Sequence, residues 1–222
     1  MPDRETARAE LQRAGRLLLE RDLTWGNAGN LSARTGPETF LITASGSRLG
    51  ELADDDFVEC TITIGDGAPL TAGRKPSKEV PMHRAVYAQR ADASVILHAE
   101  PLHSTLIACT DLDIPNNLFI SAMYYLERVE RVPYRHPGPA LGEAVREHAR
   151  AANVLLLENH GVLVYDTCMN EASMALETLE IACRMMLLAR GAGVSLRGLP
   201  PETVTDFLDN AGYKPRREWP PA

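Results

Sequence analysis

One short stretch near the middle of the chain constrains the fold most. Val95-Ile96-Leu97 is a β-branched and apolar run that predicts a buried strand. Pro101 cannot donate to a sheet ladder, so we expect this strand to end at about Glu100. Side chains at positions i and i+2 of a strand share a face, so His98 and Glu100 can reach the same ion. His-x-Glu at a strand end indicates either a metal site or a core histidine beside a solvated glutamate.

A second histidine follows another apolar run. Residues 154–158 predict a strand, and the triplet Asn159-His160-Gly161 leads into a further apolar run. Gly161 permits a tight turn or a positive φ, and a histidine held on such a turn suits a ligand more than a packing role. Glu79, in the segment 75–79 that opens a predicted helix, offers another carboxylate. Acids are also common in first turns, where they complement the helix dipole.

Two small polar loops are candidates for binding an anion. The first, residues 24–32, contains Gly29 and Asn30, and the second, residues 44–50, contains Ser45 and Gly46. Exposed backbone amides with Asn and Ser side chains can cradle an anion. They can equally form ordinary turns, which is the interpretation that the first loop alone favours.

Composition limits the class of protein. A chain of 222 residues, 45% of them hydrophobic, can bury one sizeable core, so we expect a single domain over 1–222 with a loosely held proline-rich tail from about residue 212. The net charge of −7 argues against nucleic-acid binding. No apolar stretch has the length of a membrane span, and the charged start, 1–5, is unlike a secretory signal. The scattered cysteines indicate reduced, mostly buried thiols and a cytoplasmic protein.

Strands with intervening helices predict an α/β fold, a three-layer α/β/α domain with a mixed sheet. The predicted helices cover 6–21, 81–90, 102–109, 141–151, 169–191 and 202–210, and Asp54-Asp55-Asp56 is a predicted helix start. The predicted strands cover 40–43, 57–64, 95–97, 129–134, 154–158 and 162–164, with a hairpin turn at 65–67 and a returning strand from Leu70. Helix 169–191 is apolar on several sides, which indicates a central position or burial against another subunit.

Three common sequence motifs are missing from the chain. It has no Gly-x-Gly-x-x-Gly after a first strand and no phosphate loop ending in Gly-Lys-Ser/Thr. It also lacks Gly-x-Ser-x-Gly. A dinucleotide-binding fold and a serine hydrolase are therefore not expected.

Taken in order, five segments between residues 25 and 165 resemble the class II aldolase/adducin family. They are Gly29-Asn30-Leu31-Ser32, Thr43-Ala44-Ser45-Gly46, Pro76-Ser77-Lys78-Glu79, His98-Ala99-Glu100-Pro101 and Asn159-His160-Gly161. The resemblance implies an α/β/α sandwich with a mainly antiparallel sheet. It also implies a cyclic homotetramer with active sites at subunit interfaces.

The resemblance implies one divalent metal, commonly Zn²⁺, held by three histidines beside an acid/base glutamate. By position, His98 and His160 would be ligands and Glu79 the acid/base group. The family's usual His-x-His is His98-Ala99-Glu100 here, so a carboxylate takes the second ligand position. Zinc accepts a carboxylate, and two histidines with one carboxylate also suit Mn²⁺ or Fe²⁺. Alternatively, Glu100 swings out and Glu79 or His103 completes the site.

The family's phosphate pocket is implied at small residues of the matched segments. They are Gly29, Asn30, Ser45, Gly46 and Ser77. Lys78 stands where aldolases often carry a second serine. It would bind a phosphate or carboxylate, or it would be a solvated lysine.

The implied function is a metal-dependent lyase of the aldolase type. It would act on a small, phosphorylated keto sugar or keto acid through an enediolate, with Glu79 moving the proton at a pKa raised by a dry site. Tyr124 or Tyr125 could protonate a leaving group across a subunit interface. The alternatives are an epimerase, a dehydratase, a decarboxylase, an iron-dependent oxygenase, and a non-enzymatic adducin-like interaction module.

Overall fold

A seven-stranded sheet forms the centre of the part of the chain that the structure, a computed structural model, describes, residues 2–63 and 73–220. The strands are β1 (Asn30–Arg34), β2 (Thr39–Thr43), β3 (Phe57–Thr61), β4 (Val95–Ala99), β5 (Val129–Val132), β6 (Val154–Leu157) and β7 (Gly161–Asp166). Their order is β3-β2-β1-β4-β7-β6-β5, and only β5 and β6 pair in parallel. The predicted mixed, mainly antiparallel sheet is confirmed.

Helices cover both faces of this sheet. They are α1 (Arg4–Glu20), α2 (Val80–Gln89), α3 (Leu102–Ala108), α4 (Ile120–Tyr125), α5 (Pro139–His148), α6 (Met169–Gly191) and α7 (Pro201–Asn210). Buried residues of α1, α3, α4 and α6 form one core with the sheet, and those of α2 and α5 form a second core on the other face. The three-layer α/β/α sandwich is therefore confirmed.

Side chains along β4 point alternately to the two faces of the sheet, and this determines which helical layer His98 faces. Val95 and Leu97 belong to the core under α6, whereas Ile96 belongs to the core under α2. Side chains two apart on a strand share a face, so His98 lies on the α2 side with Ile96. Helix α2 begins directly after Glu79, which brings that carboxylate to the same layer.

Strand β1 differs most from the sequence-based prediction. Residues 24–32 are a predicted loop, but Asn30–Arg34 is a buried strand that pairs with β2 and β4. Its polar side chains interrupt the apolar pattern by which a buried strand is predicted. Asn30, Ser32 and Arg34 are buried because each of them has hydrogen-bond partners in the interior.

Other predicted elements differ in detail. Strand β4 ends at Ala99, one residue earlier than expected, and Asp54–Asp56 forms a turn rather than a helix start. The predicted hairpin at 65–67 and the strand from Leu70 lie outside the described residues. Phe119 packs against the α6 core.

The C-terminal tail contacts the body of the protein, although the sequence predicts that it is loosely held. Arg217 Nη2 lies 2.7 Å from Asp166 Oδ2, and Lys214 Nζ lies 2.5 Å from Glu171 Oε1. Tyr124 donates a 3.3 Å hydrogen bond to the Pro215 carbonyl. These contacts join the tail to β7, α6 and α4.

Cysteine burial and helix length bear on two further expectations. All four cysteines are free thiols; Cys60 and Cys183 are buried, but Cys109 and Cys168 are exposed, so the expectation of mostly buried thiols holds for half of them. Over the described residues, no helix combines the length and the apolar character that crossing a membrane requires.

Candidate active site

Three neighbouring central strands bring their ends together at one edge of the sheet. Because β1, β4 and β7 pair antiparallel, the start of β1, the end of β4 and the start of β7 lie side by side. Asn30 pairs with His98, and Ala99 pairs with Val162. The polar segments that flank these strands therefore meet at one place.

Two glycines allow the close approach of these strand ends. Gly29 has φ +83°, and a Cβ there would lie 2.4 Å from the His98 carbonyl oxygen. A Cβ at Gly161 would lie 2.7 Å from the Ala99 carbonyl oxygen. The positive φ predicted as an option for Gly161 belongs instead to Asn159, at +54°, so Gly161 serves the packing of the turn against β4.

A cavity of about 370 Å³ opens at this edge of the sheet. Every site residue predicted from the sequence borders it: Gly29, Asn30, Ser45, Gly46, Ser77, Lys78, Glu79, His98, Glu100 and His160. The structure thus brings these residues together, although their individual roles stay predictions.

Glu79, His98 and His160 form a group whose ligand atoms lie within 4.8 Å of one another. Oε1 of Glu79 lies 3.1 Å from Nε2 of His160, and Oε2 lies 3.2 Å from Nε2 of His98. Two imidazole nitrogens and a carboxylate converging in this way match the donor types of zinc, iron and manganese sites. Among the described residues, this is the group of histidine, cysteine and acidic side chains close enough to hold a metal ion.

A backbone contact of its second nitrogen fixes the orientation of the His98 ring. Nδ1 lies 2.9 Å from the Val162 carbonyl oxygen, which can only accept, so Nδ1 carries the proton. Burial lowers the pKa of His98 more than the Glu79 charge raises it. The ring is therefore neutral, and the lone pair on Nε2 points at the carboxylate. Such a hydrogen bond to a backbone carbonyl is the usual support of a histidine ligand.

The pKa of Glu79 differs from the expectation of a raised value. Burial acts to raise it, but attraction to the protonated form of His98 and hydrogen bonds from His160 and Asn30 outweigh burial and lower the pKa to about 2. Burial likewise lowers the pKa of His160, yet its hydrogen bond to Glu79 prevails and the pKa is raised. Glu79 is thus ionised in the free site.

Glu100 borders the cavity but lies outside the group that Glu79 forms with the histidines. The geometry therefore corresponds to the alternative in which Glu79 takes the third position. His103 is turned elsewhere, because its Nδ1 lies 2.6 Å from Glu180 on α6. Tyr124 borders another cavity beside the C-terminal tail, so within one chain it does not reach this site.

The predicted phosphate loops use some of their amides internally. Ser45 N donates to the Lys75 carbonyl at 2.9 Å, and Ser77 N donates to the Thr43 carbonyl at 3.2 Å. An anion would therefore meet the hydroxyls of these serines and the exposed Lys78 ammonium rather than those two amides.

Sequence reasoning missed several residues around the site. Trp25, Ser47 and Pro137 also border the cavity. Asp56, from the supposed helix start, is buried; it accepts a 2.7 Å hydrogen bond from Ser47 Oγ and pairs with Arg74. Asp56 thus anchors the second polar loop. Its position in a run of three aspartates gave no signal that distinguished it from its solvated neighbours.

A buried polar group behind the cavity was missed as well. Ser32 is hydrogen-bonded to both His83 and Tyr87, and His83 is also hydrogen-bonded to Asn30. A signal was available, because Ser32 lies two residues after Asn30 on a strand and His83 lies four residues after Glu79 on a helix.

Comparisons with known proteins identify the family of this chain. The family model for the class II aldolase and adducin N-terminal domain matches residues 9–187. The chain is 34% identical over 203 residues to a 3-oxo-tetronate 4-phosphate decarboxylase of Haemophilus influenzae, covering 89% of this chain and 93% of that one. It is 31% identical to an L-fuculose phosphate aldolase of Methanocaldococcus jannaschii, covering 78% and 91%.

A solved structure has the same architecture over nearly the whole chain. YgbL from Klebsiella pneumoniae superimposes with a TM-score of 0.84 at 29% identity, covering 93% of this chain and 100% of that one. Family match, sequence identity and fold point the same way, and the chain belongs to the class II aldolase and adducin family.

Proposed function

We propose that this chain is a metal-dependent lyase that breaks a C–C bond in a small phosphorylated keto acid or keto sugar. The observation that carries the proposal is the group of Glu79, His98 and His160 inside a cavity bordered by Lys78. The metal-competent group suits carbonyl chemistry, and the lysine suits an anionic substrate.

Two reactions fit this proposal. Decarboxylation of a phosphorylated 3-oxo acid comes first, because the relative named as a 3-oxo-tetronate 4-phosphate decarboxylase matches more of the chain than the named aldolase does. Aldol cleavage comes second, and one observation favours it. Glu79 is ionised in the free site, which suits a base that removes a hydroxyl proton.

His98 and His160 are the proposed metal ligands, with a carboxylate from Glu79 or Glu100 beside them. Their Nε2 atoms both face Glu79, and the Nδ1 proton of His98 is held by a backbone carbonyl. A divalent metal bound there would supply Lewis acidity, which polarises a substrate carbonyl and stabilises negative charge on oxygen. Zn²⁺ is the first candidate, and Mn²⁺ or Fe²⁺ suits a set containing carboxylates.

Glu79 is the proposed proton-transfer group. In decarboxylation the bond to the departing CO₂ breaks and its electron pair passes onto the adjacent ketone oxygen. A solvent proton then has to reach the carbon, and Glu79 would relay it. In aldol cleavage Glu79 would take the proton of the hydroxyl group next to the breaking C–C bond, whose electron pair passes toward the ketone oxygen as the aldehyde leaves. Glu79 would then deliver that proton to the enediolate carbon that lost the aldehyde. Both sequences balance without an oxidant or reductant.

Ser45, Ser77 and Lys78 are the proposed phosphate contacts. These three residues line the same cavity as Glu79 and the two histidines. Gly29 and Gly46, the other predicted phosphate residues, border the same cavity without side chains that would block it. The side-chain amide of Asn30 already faces Glu79 and His83, so we assign it to positioning rather than to phosphate.

The test is an assay of two probe substrates with metal-loaded protein. Chelator-treated protein reloaded with Zn²⁺, Mn²⁺ or Fe²⁺ is incubated with 3-oxo-tetronate 4-phosphate or L-fuculose 1-phosphate. Release of CO₂ from the first supports the decarboxylase, and aldehyde from the second supports the aldolase. No turnover of either probe with any of the metals would count against a lyase and favour a non-enzymatic module.

Metal analysis of Glu100 variants separates the two carboxylates. If Glu100 is a ligand, Glu100→Ala loses metal as His98→Ala does. If Glu79 completes the set, Glu100→Ala keeps a full complement of metal. The structure favours the second result, because Glu79 lies with the histidines.

The homotetramer also belongs to the proposal. Exposed apolar residues on the outer side of α6, Ile181, Met185 and Leu188, are compatible with contact between subunits. Light scattering on the purified protein gives the oligomeric state directly. A monomeric mass at micromolar concentration contradicts the tetramer, and with it the interface role of Tyr124 or Tyr125.

A further inference from the structure

A line of buried polar side chains lies behind the candidate active site, between β1 and α2. Ser32 and His83 are fully buried, and Tyr87 is nearly so. Buried polar groups are costly unless they are hydrogen-bonded. Here each has a partner: Tyr87 OH lies 2.9 Å from Ser32 Oγ, and Ser32 Oγ lies 2.7 Å from His83 Nδ1.

The line continues to the carboxylate of the site. His83 Nε2 lies 2.6 Å from Asn30 Oδ1, and Asn30 Nδ2 lies 2.6 Å from Glu79 Oε2. The spacing along both elements explains the contacts. Asn30 and Ser32 share one face of β1, and Glu79, His83 and Tyr87 recur every four residues at and along α2.

The direction of each hydrogen bond follows from the carboxylate end. An ionised carboxylate only accepts, so the Asn30 amide must present Nδ2 to Glu79 and Oδ1 to His83. His83 Nε2 must then carry a proton, because Oδ1 can only accept. The amide orientation and the histidine tautomer are fixed by this requirement.

The remaining bonds follow from the neutral state of His83. Burial is the largest cause that lowers the pKa of His83 to about 3, so Nδ1 keeps a lone pair and accepts from Ser32. Ser32 in turn accepts from Tyr87, whose pKa burial raises, so that the phenol keeps its proton. Every donor in the chain from Tyr87 to Glu79 therefore points toward the carboxylate, and such one-way chains strengthen their members cooperatively.

We propose that His83 is a positioning residue for Glu79, acting through Asn30 as part of this one-way chain from Tyr87 and Ser32. The inference rests on the proposed role of Glu79 in proton transfer. If the Asn30 amide were rotated so that its oxygen and nitrogen exchanged places, Oδ1 would face the Glu79 carboxylate and Nδ2 would face the Nε2–H of His83. Both contacts would be unfavourable, so His83 holds the amide in its observed orientation. The chain thus holds Oε2 to Asn30 and sets the carboxylate plane between the two histidine ligands.

A purely structural role for these polar residues would have a different consequence. Substituting one of them would lower the stability of the folded protein without changing the turnover of the folded, metal-loaded fraction. Positioning of Glu79 would change kcat more than KM, because substrate binding by the phosphate contacts is not altered.

The deciding experiment compares His83→Phe with His83→Gln. Phenylalanine fills a similar volume but removes both nitrogens, whereas glutamine can donate to Asn30 and accept from Ser32. With the probe substrate that turns over, we expect His83→Phe to lower kcat about 10- to 100-fold at full metal content and a KM within about 3-fold. His83→Gln should recover most of the loss. Wild-type kcat in folded, metal-loaded His83→Phe overturns the proposal.

Two further measurements remain decisive if His83→Phe does not fold or if neither probe turns over. In the ¹⁵N NMR spectrum of metal-free protein labelled with ¹⁵N-histidine, the His83 ring should be the neutral Nε2–H tautomer. An Nδ1–H tautomer or a charged ring contradicts the proposed series of hydrogen bonds and overturns the proposal. In a crystal structure of Ser32→Ala or His83→Gln, the Asn30–Glu79 contact reports on the positioning. We expect it to persist in His83→Gln and to lengthen in Ser32→Ala. An unchanged contact in Ser32→Ala counts against the proposal.

Discussion

Oε1 of Glu79 lies 3.1 Å from Nε2 of His160, and this contact joins the residue before α2 to the turn between β6 and β7. The two residues come from opposite halves of the chain, so the pair exists only when the sheet is assembled. Because Oε2 of the same carboxylate lies 3.2 Å from His98, the three side chains behave as one unit. The first two predictions concern that unit.

Loss of His98 should abolish metal binding. His98→Ala removes a proposed nitrogen ligand whose orientation the Val162 carbonyl fixes, so we expect metal affinity to fall by more than the 10- to 100-fold that loss of an outer partner costs. Metal content after dialysis, measured by elemental analysis, checks this.

His103→Ala is the matched control for that experiment. His103 lies nearby on α3, but its ring is hydrogen-bonded to Glu180 and faces away from the group. It should keep the full metal content. Equal metal loss in both variants would mean that the histidine group has been assigned wrongly.

Loss of the Glu79 charge should stop turnover while leaving the fold intact. Glu79→Gln keeps the shape of the side chain but cannot accept a proton, so we expect kcat to fall by at least about 100-fold. The circular dichroism spectrum should stay that of the wild type.

Glu158→Gln serves as its control, because Glu158 follows β6 but does not border the cavity. It should retain wild-type turnover. Wild-type kcat in metal-loaded Glu79→Gln would remove Glu79 from proton transfer, whatever its part in holding the metal.

The sequence predicted a set of residues that the fold brings to one cavity, but it did not predict how they are arranged there. Every residue predicted from the motifs borders the cavity, because strand ends and glycine turns have recognisable local sequence patterns. The motifs did not predict which carboxylate, Glu79 or Glu100, lies next to His98 and His160. That depends on how α2 packs against β1, a long-range contact with no local pattern.

Buried polar residues were the harder part of the fold. β1 was missed because Asn30 and Ser32 break the apolar alternation that marks a strand. Their partners, His83 and Tyr87, lie on a helix far along the sequence. The hydrogen bond from His83 to Asn30 spans 53 residues, and that between Ser32 and Tyr87 spans 55. Only the assembled layers show that these polar groups are satisfied.

Alanine at Gly29 should destabilise the protein more than alanine at Gly26. Both glycines have positive φ, at +83° and +56°. A Cβ at Gly29 would lie 2.4 Å from the His98 carbonyl oxygen, whereas one at Gly26 meets nothing within 4 Å. We expect Gly26→Ala to cost about 1 kcal/mol in the free energy of unfolding and Gly29→Ala about 2 kcal/mol more.

Urea denaturation of both variants measures this difference. Because the clash at Gly29 is with the backbone of His98, Gly29→Ala should also weaken metal binding, and Gly26→Ala should not. Equal destabilisation of the two variants would show that the strand ends have room to separate.

Acid should destabilise the wild-type protein more than it destabilises His83→Gln. The pKa of His83 is lowered from 6.5 to about 3 by burial and by the facing His98, against the opposing charge of Glu79. A lowered folded-state pKa means that its stability contribution is complete above pH 6.5 and is lost as the pH falls toward 3. By linkage, His83 should account for about 2 kcal/mol of unfolding free energy lost between pH 7 and pH 5.

Urea denaturation of metal-free protein at both pH values measures this loss. Glutamine does not titrate, so His83→Gln should lose about 2 kcal/mol less than the wild type over the same interval. The contributions of His98 and Glu79 remain in both proteins and cancel to first order in the comparison. His136→Gln, which removes an exposed histidine, should follow the wild type. If wild type and His83→Gln lose the same stability between pH 7 and pH 5, His83 takes up its proton in the folded protein as easily as in the unfolded chain, and the one-way chain through its Nδ1 lone pair is excluded.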